Sequence, residues 1–278
     1  MAAWHEMPCD GIFLAGGSIY GLDAAAGVRR LIEEKFRPSR PGAPSRDPTR
    51  VVRGIVSGAV IFDMSIGSSE VRPDATMGYA AAANASDAPV LQGNVGVGCG
   101  ATIGKILGPQ HAMKGGVGSV CLESHLGFHV GALVVVNTLG NVFDLEQGGT
   151  IAGAQHLDGA GFLEFAEVTQ KGLPVDAQPG QHTTLCVVVT DVALSHGLLT
   201  KMAQAGQDGL ARAVQPAHTS FDGDTFFAVT TAQKTLPTKT SLFSPDAVIH
   251  LASEAIRLAI LRAVRTARSV GNTPGLME

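Results

Sequence analysis

Aromatic residues, long apolar runs and runs of a single charge are all scarce in this sequence. Aromatic side chains make up 5 % of the 278 residues, with one tryptophan and two tyrosines. So few aromatic rings argue against the stacking platforms that hold single-stranded nucleic acid. The formal net charge is −4 and the basic residues form no stripe, so no nucleic-acid partner is expected. The apolar runs are too short, or too often interrupted by glycine, to span a bilayer.

Cysteine is scarce as well, and its spacing excludes two further classes of protein. The four cysteines are Cys9, Cys99, Cys121 and Cys186, without a C-x-x-C pair or a dense disulfide framework. Such cysteines are typical of reduced thiols in a cytoplasmic protein. The N-terminal residues lack the basic region and apolar run of a secretion signal. We therefore expect a cytoplasmic protein that neither crosses nor binds a membrane.

Glycine, in contrast, is abundant, and the chain alternates between strand-like and helix-like segments. The 35 glycines are mixed with alanine and valine, which is typical of close backbone packing. Several strands and a few long amphipathic helices predict an α+β fold with helices outside stacked sheets. The segments 117–122 and 130–136 should pair as antiparallel strands. The other predicted strands are 10–14, 51–62, 183–190 and 226–231; the predicted helices are 22–36, 75–83, 195–214 and one starting at Pro245; a loop is predicted at 37–50.

The boundary between residues 182 and 183 is the most informative feature of the sequence. Residues 172–182 contain two prolines and no apolar periodicity, and the buried strand that follows opens with Thr183 and Thr184. Amide hydrolysis needs a nucleophile and a base, and an N-terminal threonine supplies both, since its α-amine has a pKa near ~8. Cleavage after His182 would expose such a threonine. A pair of threonines is equally typical of an ordinary strand, because threonine fits strands well.

Four further polar residues can support such a nucleophile. Asp222 and Asp224 can orient an amine or accept protons, or they can simply form a turn. Lys105 follows the glycine-dense loop 93–104, which lacks the Walker pattern, and it can equally be a solvated surface lysine. Asn137 ends a predicted strand, where it can donate to an oxyanion or begin a turn.

A metal site is not expected from the histidines. Glu123, His125 and His129 lie close together in the sequence, but no further ligand accompanies them. We therefore expect neither a metal nor another cofactor.

Seven segments, in order along nearly the whole chain, resemble one known family. They are residues 14–23, 59–63, 98–105, 134–137, 183–185, 208–219 and 222–231. The ordered set resembles the P1 family of self-processing aminopeptidases, which includes the D-aminopeptidase DmpA, the β-peptidyl aminopeptidases and the nylon-oligomer hydrolases.

The resemblance implies a fold, a maturation step and a set of site residues. It implies a single domain, a four-layer αββα sandwich, that cleaves itself into an α chain (1–182) and a β chain (183–278). It also implies a homo-oligomer, usually a tetramer, that needs no metal. By position, Thr183 matches the nucleophile, Lys105 the nearby lysine, Asn137 the residue that polarises the substrate carbonyl, and Asp222 and Asp224 the acidic pair that supports the amine and the proton transfers.

Several functions are compatible with this resemblance. The leading hypothesis is hydrolysis of small peptides, amino-acid amides or linear ω-amino-acid oligomers. An acyl transferase similar to the ornithine acetyltransferases is one alternative. An inactive assembly partner is another, because family members usually begin several dozen residues before the segment around Gly16. Two positions depart from the family pattern. His182 stands where the nylon-oligomer hydrolases have asparagine, and Phe62 stands where some members have a tyrosine.

Overall fold

The chain folds into two compact units in the computed structural model. The structure describes residues 9–36, 54–156, 158, 161–177, 180–236 and 245–278. The N-terminal unit comprises Met1–Val60 and Met64–Pro89, and the C-terminal unit comprises Ile61–Asp63 and Val90–Glu278. The loop predicted at 37–50 lies outside the described residues, and the prediction of a single self-cleaving domain stays a prediction.

The N-terminal unit pairs two parallel strands with two helices. Glycine allows its helices to approach closely, because a Cβ atom at Gly27 would lie 1.8 Å from the Ala75 carbonyl oxygen. The second helix begins after Asp74, whose side chain accepts a hydrogen bond from Met77 N at 2.8 Å, a normal N-cap. The elements are β1 (Gly11–Ala15), a 3-10 turn (Ser18–Asp23), α1 (Ala24–Phe36), β2 (Val56–Val60) and α2 (Ala75–Ala83).

The C-terminal unit is built around a four-stranded sheet in the order β11-β9-β6-β5. In this sheet β9 and β11 are parallel, whereas the other neighbours are antiparallel. A three-stranded sheet (β10-β7-β8) and a short pair (β3-β4) complete it. The elements are β3 (Thr102–Ile103), β4 (Met113–Lys114), β5 (Gly116–Glu123), β6 (His129–Asn137), β7 (Asn141–Asp144), β8 (Gly149–Ala152), α3 (Phe165–Lys171), β9 (Thr183–Val192), α4 (His196–Ala211), β10 (Val214–Gln215), β11 (Thr225–Lys234) and α5 (Pro245–Arg265).

Helices α4 and α5 pack with one face of the four-stranded sheet to form the main core. Alternate residues of β6, including Val130 and Val134, belong to this core, as a half-buried strand requires. Buried residues of α5 such as Val248, Ala252 and Ile256 recur at helical spacing. No helix of the described residues is both long enough and apolar enough to cross a membrane.

The structure confirms most of the predicted elements and changes some of their limits. The hairpin prediction is confirmed, with Val117 opposite Val135 in the register of β5 and β6. The strand predicted at 51–62 is limited to Val56–Val60 in the described residues, and Ile61 is buried without joining a strand. Strands β7 and β8 were not predicted, because four residues are too few to show a period.

The contact between α5 and β5 depends on Gly118. A Cβ atom there would lie 1.9 Å from the Ala259 carbonyl oxygen and 2.6 Å from Ala263 N. We expect Gly118→Ala to lower the free energy of unfolding by about 1–3 kcal/mol, because the helix must move away from the sheet. Urea unfolding followed by circular dichroism measures this change.

The matched control is Gly197→Ala, since nothing lies within 4 Å of a Cβ atom at Gly197. This change lies in the first turn of α4 and should be neutral or slightly stabilising. Equal stability of the two variants would contradict the close packing of α5 on β5.

Candidate active site

The pairing of β6 with β9 places two of the predicted site residues side by side. Asn137 ends β6, Thr183 begins β9, and the register sets them directly opposite each other. Directly opposed residues of an antiparallel pair have Cβ atoms about 4.5–5.5 Å apart on one face of the sheet. Asn137 is fully buried and Thr183 is 5 % exposed. The fold therefore brings the predicted oxyanion donor next to the predicted nucleophile.

Hydrogen bonds fix the orientation of the Asn137 amide. Its Oδ1 accepts from Thr102 N at 3.0 Å and from Lys105 Nζ at 3.0 Å. Its Nδ2 donates to the Phe62 carbonyl oxygen at 3.1 Å and makes a longer contact, at 3.5 Å, with the Gln181 carbonyl oxygen. With two donors on Oδ1, Nδ2 is held as the donor that faces the residues before Thr183.

Lys105 is half-buried and bonded to three acceptors, so it is not a solvated surface lysine. Its Nζ donates to Asn137 Oδ1, to the Asn137 carbonyl oxygen at 3.2 Å and to the Gln181 carbonyl oxygen at 3.3 Å. Burial lowers the pKa of Lys105 to about 7, although the negative charges of Asp222 and Asp63 oppose this shift. The Lys105 ammonium can therefore lose its proton near neutral pH.

The acidic pair lies beside the first residues of β9. Asp224 Oδ1 accepts a hydrogen bond from Thr184 N at 2.6 Å, and its side chain is 8 % exposed. Burial raises the pKa of Asp224 to about 6, the Thr184 N–H bond lowers it, and the charge of Asp222 raises it further. Asp222 Oδ2 accepts from Thr219 N at 2.7 Å, whereas Asp222 Oδ1 is buried without a hydrogen-bond partner among the described residues.

Gly223, between the two aspartates, contacts both sides of the bond that is predicted to break. Its N–H donates to the His182 carbonyl oxygen at 2.6 Å. A Cβ atom at Gly223 would lie 2.9 Å from Thr183 Oγ1, so the hydroxyl group packs against this glycine. A hydroxyl group thus lies beside a carbonyl group that a backbone donor already polarises, which is the arrangement that acyl transfer requires.

The side chain of His182 is buried in an unusual state. His182 is 3 % exposed, and neither ring nitrogen has a hydrogen-bond partner in the described part of the chain. Burial lowers the pKa of His182 to about 4, and the positive charge of Lys105 lowers it further. The imidazole is therefore neutral at pH 7.

In the predicted loop before Thr183, the described residues 172–177 and 180–182 lie outside the helices and named strands, as predicted, and two of them are bonded to residues next to the site. Asp176 N donates to the Ile106 carbonyl oxygen at 3.0 Å, next to Lys105. Gly180 N donates to the Phe221 carbonyl oxygen at 3.2 Å, next to the acidic pair. The loop is therefore held at two points before the predicted cleavage site.

Sequence analysis missed the main-chain groups of the site and a second buried lysine. The Gly223 N–H and the carbonyl groups of Phe62 and Gln181 belong to the main chain, so the residue types do not reveal them. A glycine between two aspartates is the one signal in the sequence that another group packs closely against the backbone there. Lys114 is 1 % exposed, and its Nζ donates to the Cys99 carbonyl oxygen at 2.8 Å. Burial lowers the pKa of Lys114 to about 8.

Comparison with known proteins gives one family and several relatives. The model of peptidase family S58 matches residues 5–277. An uncharacterized aminopeptidase of Mycobacterium tuberculosis (strain ATCC 25618 / H37Rv) is 38 % identical over 278 residues, which cover 95 % of this chain and 76 % of that protein. A 6-aminohexanoate-oligomer endohydrolase of Kocuria sp. (strain KY2) is 32 % identical over 265 residues, which cover 91 % of this chain and 71 % of that protein.

Two solved structures are similar in fold. A beta-aminopeptidase of Burkholderia sp. superposes with a TM-score of 0.60 at 20 % identity, covering 96 % of this chain and 69 % of that chain. An L-aminopeptidase D-Ala-esterase/amidase from Ochrobactrum anthropi, a variant of the Ntn hydrolase fold, gives a TM-score of 0.56 at 20 % identity, covering 92 % and 66 %. The fold is thus a mixed α/β architecture shared with Ntn hydrolases. A family match over almost the whole length and a relative 38 % identical make the chain a member of peptidase family S58, an enzyme that hydrolyses amide or peptide bonds.

Proposed function

We propose that the protein cleaves its own chain between His182 and Thr183 and then works as an amide hydrolase with an N-terminal threonine nucleophile. The observation that carries this proposal is the 2.6 Å hydrogen bond from Gly223 N to the His182 carbonyl oxygen. This bond holds the carbonyl group of the scissile peptide while Thr183 Oγ1 packs against the same glycine. The presence of Lys105, Asn137 and the acidic pair around this bond argues against an inactive assembly partner.

Self-cleavage follows from this geometry in two steps. Thr183 Oγ1 attacks the His182 carbonyl carbon, and the Gly223 N–H stabilises the negative oxygen that forms. The C–N bond then breaks, the hydroxyl proton passes to the departing nitrogen, and His182 is held as an ester on Thr183 Oγ1. Water hydrolyses this ester, which gives an α chain ending in a His182 carboxylate and a β chain beginning with Thr183.

Substrate hydrolysis then uses the same hydroxyl group with a new base. The free α-amine of Thr183 takes the proton of Oγ1 as the oxygen attacks the substrate carbonyl carbon. Asn137 Nδ2 and Lys105 Nζ stabilise the oxyanion, and the proton moves on to the departing amine. Water releases the acyl group. The unpartnered Oδ1 of Asp222 is an acceptor for the new α-amine, and Asp224 holds the Thr184 N–H.

Substrate class and assembly belong to the same proposal. Small peptides, amino-acid amides and linear ω-amino-acid oligomers are the proposed substrates, supported by the names of the relatives. The match to a peptidase family favours hydrolysis over acyl transfer. The packing of α4 and α5 with one face of the sheet supports a four-layer αββα sandwich. We propose a homo-oligomer, with a tetramer as the expected form. The proposed compartment is the cytoplasm, where free thiols such as those of the four cysteines stay reduced.

The role of Thr183 is tested by two substitutions at that position. Thr183→Val keeps the shape of the side chain and removes the hydroxyl group, so the chain should stay whole and amide hydrolysis should fall at least about a thousandfold. Thr183→Ser keeps a hydroxyl nucleophile and should still yield both fragments. Gel electrophoresis and a p-nitroanilide assay measure the two effects.

Thr183→Ser is the control for folding around the site. Cleavage or full hydrolytic activity in Thr183→Val would show that another residue is the nucleophile. Loss of both activities in Thr183→Ser, with a native unfolding temperature, would likewise contradict the proposed chemistry.

Because the pKa of Asp224 is raised in the folded chain, this residue should lower the free energy of unfolding by an amount that depends on pH. The uncleaved Thr183→Val variant is the parent protein for this measurement. The Asp224 carboxyl titrates near pH 6 in the folded chain and near ~4 when unfolded, so the unfolded state loses its proton first. The contribution of Asp224 to stability therefore falls as the pH rises between about 4 and 6, by an amount on the order of 2–3 kcal/mol, and stays lower above pH 6. His182, whose pKa is lowered to about 4, contributes in the opposite direction over the same range, so the Asp224 contribution is measured as a difference between the parent and a variant at position 224.

Asp224→Asn removes this cost, because the amide is neutral and its oxygen can still accept from Thr184 N. We expect Asp224→Asn to stabilise the chain at pH 8 and to have little effect at pH 4. Urea unfolding at the two pH values measures the difference. A variant that is less stable than its parent at pH 8 would contradict the burial of a charged Asp224.

A further inference from the structure

His218 lies beside the acidic pair, although no step of the proposed chemistry uses it. His218 Nδ1 is 3.8 Å from Asp224 Oδ2, whereas Asp224 Oδ1 accepts from Thr184 N. The Asp224 side chain is 8 % exposed and the His218 side chain is 44 % exposed. An ionisable ring that contacts solvent thus faces a carboxyl group that is almost buried.

A main-chain carbonyl group of α4 fixes the hydrogen on one nitrogen of this ring. His218 Nε2 lies 3.3 Å from the Gln207 carbonyl oxygen, and a carbonyl oxygen only accepts, so Nε2 is the donor. In a neutral ring Nδ1 is then an acceptor, and it faces a second acceptor, the Asp224 carboxylate. One proton, on Nδ1 or on Asp224, turns this repulsion into an attraction. The two side chains are therefore most stable together when they hold one proton between them.

The backbone of residues 218–219 brings one side chain to each aspartate. His218 has a φ of +58°, in the left-handed region that residues other than glycine rarely adopt. The next residue, Thr219, donates to Asp222 Oδ2 from both its N, at 2.7 Å, and its Oγ1, at 2.8 Å. These two bonds hold the Asp222 carboxylate, whose Oδ1 is the proposed acceptor for the α-amine of Thr183. A rare backbone conformation of this kind is typical of functional sites.

The groups around Asp224 act in opposite directions on its ionisation. Burial raises the pKa of Asp224 to about 6, the Thr184 N–H lowers it, and the negative charge of Asp222 raises it. The positive charge of His218 lowers it. A further cation of the site, Lys105, interacts with Asp222. His218 is therefore a cationic side chain placed to oppose the effects of burial and of Asp222.

We propose that His218 is a positioning residue for the acidic pair, and that its imidazolium form holds Asp224 in place as a carboxylate. This inference rests on the proposed function of Thr183 and extends it. When the α-amine of Thr183 takes the hydroxyl proton, it becomes an ammonium group next to Thr184, whose N–H Asp224 holds. A charged Asp224 stabilises this ammonium group and a neutral one does not. His218 thus supports the base of the reaction without contacting the substrate.

The pH dependence of two variants tests this role. His218→Asn removes the charge, and asparagine tolerates a positive φ. His218→Lys keeps a positive charge at the same position. We would measure kcat/KM of the processed enzymes with the amino-acid p-nitroanilide that the wild type hydrolyses fastest, and divide each variant's value by the wild-type value at the same pH. This ratio cancels the titration of the Thr183 α-amine, which all three enzymes share.

Without the cation, Asp224 ionises at higher pH. The ratio for His218→Asn should therefore fall about fivefold from pH 8 to pH 6, and the ratio for His218→Lys should stay within about twofold. A ratio for His218→Asn that is independent of pH, or an equal fall in both variants, would overturn the role of the charge and leave Thr183 as the nucleophile.

A measurement on the uncleaved chain tests the pairing without the chemistry. In the Thr183→Val parent at pH 6, His218→Asn should lower the urea midpoint of unfolding, because the imidazolium no longer faces a carboxylate. In the same parent with Asp224→Asn, the effect should be smaller, because only the bond to the Gln207 carbonyl is lost. Equal effects in the two parents would overturn the pairing. A wild-type chain that stays whole and inactive would instead contradict the proposed function, and with it the role of His218 in the reaction.

Discussion

The antiparallel pairing of β6 with β9 is the constraint on which the whole site depends. It sets Asn137 opposite Thr183, the proposed nucleophile, and the other groups of the site are held by Asn137 or by the residues on either side of Thr183. Lys105 is held by Asn137, and Gly223 is held by the carbonyl group that precedes Thr183. A slip of one residue in this register would turn the side chains of one strand to the opposite face of the sheet and separate Asn137 from Thr183, so the hydrophobic core that fixes the register also fixes the site.

The site concentrates charges where the fold would be more stable without them. Lys105 and Asp224 are both shifted by burial toward their neutral forms, and Asp222 keeps a buried oxygen without a partner in the described part of the chain. Groups of this kind reduce stability and are typical of functional sites. A lysine whose pKa is about 7 and an aspartate whose pKa is about 6 can each gain or lose a proton near neutral pH, as acid–base catalysis requires.

Side-chain patterns predicted much of the fold, and together with the family resemblance they pointed to the candidate site residues; main-chain contacts account for what they missed. The change from a loop with prolines to a β-branched strand located Thr183, and two valine-rich runs located the hairpin that carries Asn137. The hydrogen bonds from Gly223 N to the His182 carbonyl and from Lys105 to the Gln181 carbonyl involve main-chain groups that every residue type shares. Only folding shows which of them meet.

The intact mass of the purified wild-type protein, followed from purification over several days, tests the central claim most directly. The account predicts that the mass of the whole chain is replaced by two masses, those of residues 1–182 and 183–278. N-terminal sequencing should show that the second fragment begins with Thr183. A chain that keeps its full mass, or that breaks at another bond, would contradict the role of the His182–Thr183 bond.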